Sequence, residues 1–293
     1  MMTTTYKVYN QSCIEGMKEH VADNSVDLIF TDPPYGIRGD ELHVHYLRDE
    51  SPVVSGYIDV PHDQYAQFSS DWITECARVL RPGGTLYIVS GYTNLHHILN
   101  ALHSTLLKEI NHIIARYSFG VSTKNKFVSS HYHVLFWQKP DKNKQKRTFN
   151  SNWKFTDQKD SYHDRLTVQD MPRGYKPEEV KNKNQLSEDF IMKFIMYSSN
   201  RGDTVLDCFG GGLTTGRTAL RWGRNFIGFE LNSHAYHAFV PTLGNVEELG
   251  DPVPISPSDD ELVKREKMRA GWKKTRAERK VARGPDGMTL SRT

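Results

Sequence analysis

Apolar, β-branched and aromatic residues gather in short runs at residues 26–30, 85–89, 110–119, 132–138, 204–207 and 226–229. Runs of that length bounded by turn-forming residues predict strands. Between them the period changes to that of a helix. Phe68, Trp72, Cys76 and Leu80 recur every four residues up to Arg81-Pro82-Gly83-Gly84, which predicts a helix stopped by that tetrapeptide. Leu95, Ile98, Leu99, Leu102 and Leu106 form a second stripe. A third opens at Ser187 as N-cap, with Glu188 and Asp189 in the first turn, and carries Phe190, Ile191, Phe194 and Ile195 to a stop at Asn200-Arg201-Gly202. Residues 214–222 and 232–240 predict two more helices. Strands alternating with helices place the chain in the α/β class, with a mostly parallel sheet covered on both faces.

Two stretches break this rhythm. Residues 38–64 are rich in His, Asp, Pro and Gly, and residues 139–183 are polar and basic with scattered aromatic residues. Insertions this long in a compact domain are usually functional or disordered. The expected organisation is one domain over residues 1–245, the two insertions being candidate target-recognition segments, and a polar, basic tail over residues 246–293. At 293 residues the chain can hide roughly three quarters of its unfolded surface. No apolar run approaches the ~18 residues that would suggest a membrane span, and the first residues lack a signal-peptide pattern, so a cytoplasmic location is expected.

Charge is unevenly spread. Residues 264–283 hold ten Lys/Arg against Glu266 and Glu278, and residues 139–154 hold six against Asp141. With the chain at +3 in all, these two runs of +8 and +5 leave −10 on the remainder. Clustered cations on an otherwise acidic protein suit a polyanionic partner, since each neutralised phosphate releases counterions. Cys13, Cys76 and Cys208 have no metal-type spacing, and histidines in loops usually serve only as polar residues, so no metal site is expected at the cysteines or at His43, His45 and His62.

Two motifs carry chemistry. Asp32-Pro33-Pro34-Tyr35 follows directly on the run at 26–30. In open α/β sheets ligands sit beyond the carboxyl ends of the strands. Consecutive prolines fix φ and lack an N–H, so they make a rigid turn whose carbonyls remain acceptors. A carboxylate, rigid carbonyls and an aromatic plane together match an exocyclic amino group on a flat base. The second motif runs from Asp207 through Cys208-Phe209-Gly210-Gly211-Gly212-Leu213 into a helix at Thr214. Glycines there admit a ligand close to the backbone, and a helix N-terminus offers free N–H groups. Glu230 ends the next strand 19 residues after Gly211, the spacing at which a carboxylate meets ribose hydroxyls. Neither a full GxGxxG fingerprint nor a GK[ST] loop is present, which disfavours NAD and ATP.

This pair of motifs in this order resembles the β-class of S-adenosylmethionine-dependent amino-methyltransferases acting on DNA, in which the catalytic motif precedes the cofactor motif. The resemblance covers roughly residues 6–140 and 183–240. It implies a Rossmann-like methyltransferase fold: a seven-stranded, mostly parallel sheet with one antiparallel strand at residues 132–138, in circularly permuted motif order. By the same resemblance, Asp32 and the Pro33 carbonyl accept hydrogen bonds from the target amino group, Pro34 stiffens the turn and Tyr35 stacks on the base. Phe209 and Gly211 line the S-adenosylmethionine pocket, Asp207 and Thr214 lie near its methionine end, and Glu230 holds the ribose. Ser12 and Cys13 fall where the family sets a Gly-Asp-x segment against the adenine, and Gln185 falls in a stretch near the cofactor carboxylate. Cys208 stands where a proline is common and Leu213 where a glycine is common. The resemblance further implies double-stranded DNA as partner, base flipping, a restriction-modification setting, and a homodimer as one oligomeric state. Methyl transfer of this kind needs no metal. Asp rather than Ser at the head of the tetrapeptide favours adenine-N6 as target, with cytosine-N4 as the alternative. A non-catalytic DNA-binding protein on the same fold is the outside reading.

Overall fold

The computed structural model describes residues 4–36, 59–117, 124–125, 127–141, 147–151, 155, 162–171 and 186–249. Along the chain these form β1 (Tyr6–Tyr9), α1 (Cys13–His20), β2 (Val26–Thr31), α2 (Tyr65–Val79), β3 (Leu80–Ser90), α3 (Leu95–His103), β4 (Lys108–Arg116), β5 (His131–Gln138), β6 (Val168–Asp170), α4 (Glu188–Ser198), β7 (Thr204–Asp207), α5 (Thr214–Arg221), β8 (Asn225–Phe229) and α6 (Ser233–Leu243). All eight strands join one sheet in the order β1-β8-β7-β2-β3-β5-β4-β6. β5 runs antiparallel to β3 and β4, and the other pairings are parallel.

Period-two alternation divides each central strand between two cores. Ile29 of β2 and Leu86 and Ile88 of β3 face a cluster with Met17, Trp72, Ile73, Ile98 and Leu102, which places α1, α2 and α3 on one face. Leu28, Phe30, Tyr87 and Val89 face the opposite cluster with Phe190, Phe194, Leu220 and Phe239, the side of α4, α5 and α6. A strand buried on both faces reads as an unbroken apolar run, which is why β2 is visible in the sequence. Among the described residues, no helix is long and apolar enough to cross a membrane.

The expected α/β sheet with a single antiparallel strand is present, but with eight strands rather than seven. β1 and α1 carry no strong apolar run: Tyr6 and Lys7 are exposed on an edge strand, and α1 has only eight residues. The helix over Phe68, Trp72 and Cys76 ends at Val79, and Leu80 already belongs to β3. Arg81-Pro82-Gly83-Gly84 is therefore no helix stop; it lies within β3 beside a bulge, where the pairing jumps from Val26↔Leu80 to Leu28↔Thr85. The long insertion is anchored as well. Its β6 adds to the edge of the sheet beside β4, and the fully buried Asp164 accepts from Tyr197 Oη at 2.6 Å and pairs with Lys193 Nζ at 3.1 Å. Residues 37–58, the greater part of the first insertion, and the basic segment 264–283 lie outside the described residues.

Candidate functional site

β2, β3 and β7 end side by side, and the two motifs leave the sheet from β2 and β7. After Thr31, the segment Asp32-Pro33-Pro34-Tyr35 is held from behind. Tyr65 Oη on α2 donates to the Pro34 carbonyl at 2.7 Å, and Asn94 Nδ2, just before α3, donates to the Tyr35 carbonyl at 2.7 Å. Gly36 follows with φ of +62°, and a Cβ there would come within 2.5 Å of the Tyr65 ring, so conformation and space both require glycine. Its N–H donates to Asp59 Oδ1 at 2.9 Å. The Tyr35 ring lies 6.1 Å from Tyr132, which in turn lies 4.9 Å from Tyr117.

These contacts leave acceptors of the turn open. Among the described residues, Asp32 Oδ1 is buried without a hydrogen-bond partner, and the Pro33 carbonyl accepts none. Burial pushes the Asp32 carboxyl up to about 7, and the negative charge of Asp207 adds to the rise, while a side-chain hydrogen bond with Tyr35 opposes it. An orphaned buried carboxylate oxygen is costly unless something arrives to donate to it.

The cofactor-side motif is built on β7. Asp207 is buried, and its Oδ1 accepts from Thr31 Oγ1 at 2.8 Å and from the Phe209 N–H at 3.1 Å. Its carboxyl is likewise pushed up to about 7, by burial above all, against the hydrogen bonds from Phe209, Thr215 and Thr31. Gly211 has φ of +49°, and a Cβ there would meet nothing closer than 4.0 Å, so the turn presents open space on that side. Leu213 occupies the position where the family commonly has glycine and takes a left-handed φ of +54°. Its fully buried side chain offsets a strain of roughly 1 kcal/mol or more.

Glu230 meets this turn from the end of β8. Its Oε2 accepts from the Gly211 N–H at 2.5 Å and its Oε1 from the Asn232 N–H at 2.7 Å. Burial raises its carboxyl above the ordinary range, and the two N–H groups hold it back. Asn10 Nδ2 donates to the Glu230 carbonyl at 2.8 Å, which brings the end of β1 to the same place. Phe209 packs edge-on against Trp72 at 5.4 Å and beside Phe68 at 5.8 Å.

The described site residues expected from sequence follow the ends of neighbouring strands or open the helix after them, though not all in equal positions. Ser12 caps α1, its Oγ accepting from the Ile14 N–H at 3.3 Å. Cys13 is buried against Cys208, whose Sγ lies 3.5 Å from Cys76, so three cysteines remote in sequence meet behind the glycine turn. Burial drives the Cys13 and Cys208 thiols well above their ordinary pKa, which makes them inert packing groups. Thr214 is buried at the first turn of α5, and Gln185 lies outside the described residues. Sequence reasoning missed Thr31, Tyr65, Asn94 and Asp59. Asn94 had a usable signal, since it follows the carboxyl end of β3, where a ligand-facing polar residue is expected.

The residues fit S-adenosylmethionine: carboxylates for its cationic end and its ribose, an aromatic ring beside a glycine turn, and open space where a Cβ would stand. The family model for DNA methylases of the N6/N4 type matches residues 26–241. The chain is 32% identical to type II methyltransferase M.BamHI of Bacillus amyloliquefaciens over 78% of its length and 29% identical to type II methyltransferase M.HinfI of Haemophilus influenzae over 74%. It spans 55% and 62% of the lengths of those two relatives. TTHA0409 of Thermus thermophilus, solved with S-adenosyl-L-methionine, superposes with a TM-score of 0.61 at 21% identity, covering 85% of this chain and 100% of that one. The cytosine-N4-specific PvuII DNA methyltransferase gives 0.61 at 14% identity, covering 84% of this chain and 92% of that one. With the Asp32 tetrapeptide and the glycine turn leaving the sheet from the neighbouring strands β2 and β7, the chain belongs to the N6/N4 family of DNA methylases.

Proposed function

We propose that the protein transfers a methyl group from S-adenosylmethionine to the N6 amino group of adenine in double-stranded DNA. The observation that carries this reading is the pair of open acceptors, Asp32 Oδ1 and the Pro33 carbonyl, on a turn held in place through its Pro34 and Tyr35 carbonyls. Two acceptors on a rigid turn suit the two hydrogens of one amino group. When bound, S-adenosylmethionine supplies an electrophilic methyl on a sulfonium.

The chain's own groups do the rest by placement. Asp32 and the Pro33 carbonyl take the amino hydrogens, which turns the nitrogen lone pair toward the methyl donor. The Asp32 carboxylate compensates positive charge as it builds on that nitrogen. Tyr35 offers a stacking plane for a base drawn out of the duplex, and such stacking offsets an unstacking cost of a few kcal/mol. Asp207 faces the cationic methionine end, Glu230 the ribose, and Phe209 with the Ser12–Cys13 turn the adenine. The basic segment 264–283 grips phosphates without reading bases. Asp32 at the head of the tetrapeptide supports adenine over cytosine.

Expression in a host without DNA methylation, followed by mapping of modified bases, tests the reading. N6-methyladenine at one recurring sequence is the expected result. N4-methylcytosine would replace the adenine assignment, and unmodified DNA would overturn the proposal.

A further inference from the structure

The β2–β7 seam opens where the chemistry is placed. Between these strands the pairing consists of Leu28↔Val205 and Ile29↔Leu206 and goes no further. On the outer sides the ladders continue: β2 stays paired with β3 up to Thr31↔Ile88, and β7 with β8 up to Asp207↔Gly228. The sheet therefore divides at its edge into a half that carries Asp32 and a half that carries the glycine turn. One side chain spans the gap. Thr31 Oγ1 donates to Asp207 Oδ1 at 2.8 Å and accepts from the Cys208 N–H at 3.2 Å. Thr31 is fully buried, and it directly precedes Asp32 as Cys208 directly precedes Phe209.

We infer that Thr31 is a positioning residue whose hydroxyl fixes the distance between the base-side acceptors and the cofactor-side turn. The inference deepens the function proposed above and rests on it. A hydroxyl used at once as donor and acceptor holds a separation from both directions, and a β-branched side chain is stiff about χ1. The acceptor half of the bond depends on Cys208, because a proline at that position would have no N–H to give. An error of about 1 Å between reacting groups can cost a hundredfold in rate, so a tie at this seam acts on the transfer step.

The same hydroxyl steadies the ionised form of Asp207. That carboxylate is faced by Thr31 and Asp32 from β2 and the turn after it, by the Phe209 N–H and the Cys208 thiol beyond β7, by Thr215 of α5, by Glu230 beyond β8 and by Cys13 of α1. Glu230 and Asp32 disfavour its charge, the neutral thiols add none, and Thr31, Thr215 and Phe209 favour it. Loss of Thr31 Oγ1 removes one of the three supports.

Thr31→Val keeps the shape and deletes the hydroxyl, and Thr31→Ser restores it. Two readouts are needed: the titration of Asp207 in the cofactor-free protein by carboxyl carbon NMR, and the single-turnover methylation rate at saturating cofactor and DNA. In Thr31→Val the Asp207 titration is expected to move to higher pH and the rate to fall about ten- to a hundredfold, the equivalent of a hydrogen bond to a charged group. Thr31→Ser should match wild type in both. Should the valine variant fail to fold, Thr31→Ala takes its place in the same comparison. An unshifted titration with an undiminished rate overturns the inference, as does a serine variant as impaired as the valine one, which would show packing rather than bonding. If wild type methylates no DNA, the proposed function fails by itself, and the titration still decides whether Thr31 holds Asp207.

Discussion

The two sides of the site handle their carboxylates in opposite ways. At Asp32 the fold bonds the turn that follows and leaves one carboxylate oxygen open: Tyr65 takes the Pro34 carbonyl, Asn94 takes the Tyr35 carbonyl, and Asp32 Oδ1 has no partner among the described residues. At Glu230 the fold bonds the carboxylate itself, with one backbone N–H on each oxygen. The first arrangement is suited to a group that must be oriented for reaction, since one carboxylate oxygen is left open for the amino hydrogens. The second is suited to tight holding, because a pre-aimed carboxylate loses little freedom on binding and has lone pairs to spare.

The comparison breaks most sharply at Asp32. Asp32→Ala is expected to lower methyl transfer by about a hundred- to a thousandfold or more while cofactor affinity stays near wild type. Retained turnover in a methylation assay would remove Asp32 from the chemistry. Glu230→Ala should do the converse, weakening S-adenosylmethionine binding by about 1.5 to 3 kcal/mol, the range for a hydrogen bond to a charged group. Calorimetry showing unchanged affinity would place the ribose elsewhere.

A smaller effect tests the scaffold behind the open acceptors. Tyr65→Phe deletes the bond to the Pro34 carbonyl and should slow single-turnover methylation by roughly fivefold to tenfold, in line with about 1 kcal/mol for a neutral hydrogen bond. Cofactor binding should not move; a loss of cofactor affinity instead would mean that the two sides are not separable.

A separate effect is on stability against pH. Asp207 is held near 7 in the fold and near the ordinary carboxyl value in the unfolded chain, so the native state keeps a proton that the unfolded chain releases between them. Its contribution is present below about pH 4 and is lost as pH rises through about 7. Asp207→Asn removes that loss, and its Tm relative to wild type should therefore climb between these limits. Parallel Tm curves would show that the carboxyl is ionised throughout.

How much of this was legible in the sequence depended on how local the signal was. Asp32 to Tyr35 and Phe209 to Gly211 are contiguous in the chain and follow strands buried on both faces, so apolar runs announced them. Glu230 came from a spacing within one βαβ unit. Tyr65 and Asn94 act across 31 and 59 residues, and nothing near either of them in the chain reveals its partner. The three cysteines show the same limit. Their spacing carried no disulfide or metal pattern, and it gave no sign that α1, α2 and the end of β7 would bring them together. β6 has three residues, too few for any period to register.

The bond between Gly36 N–H and Asp59 Oδ1 has a consequence for how such a protein can diversify. It joins the two ends of the segment between them at the foot of the Asp32 to Tyr35 turn. Each doubling in the length of a flexible closed segment adds only about 0.6 kcal/mol. Between those two posts, evolution can lengthen, shorten or rewrite the chain while Asp32 to Gly36 stay where they are.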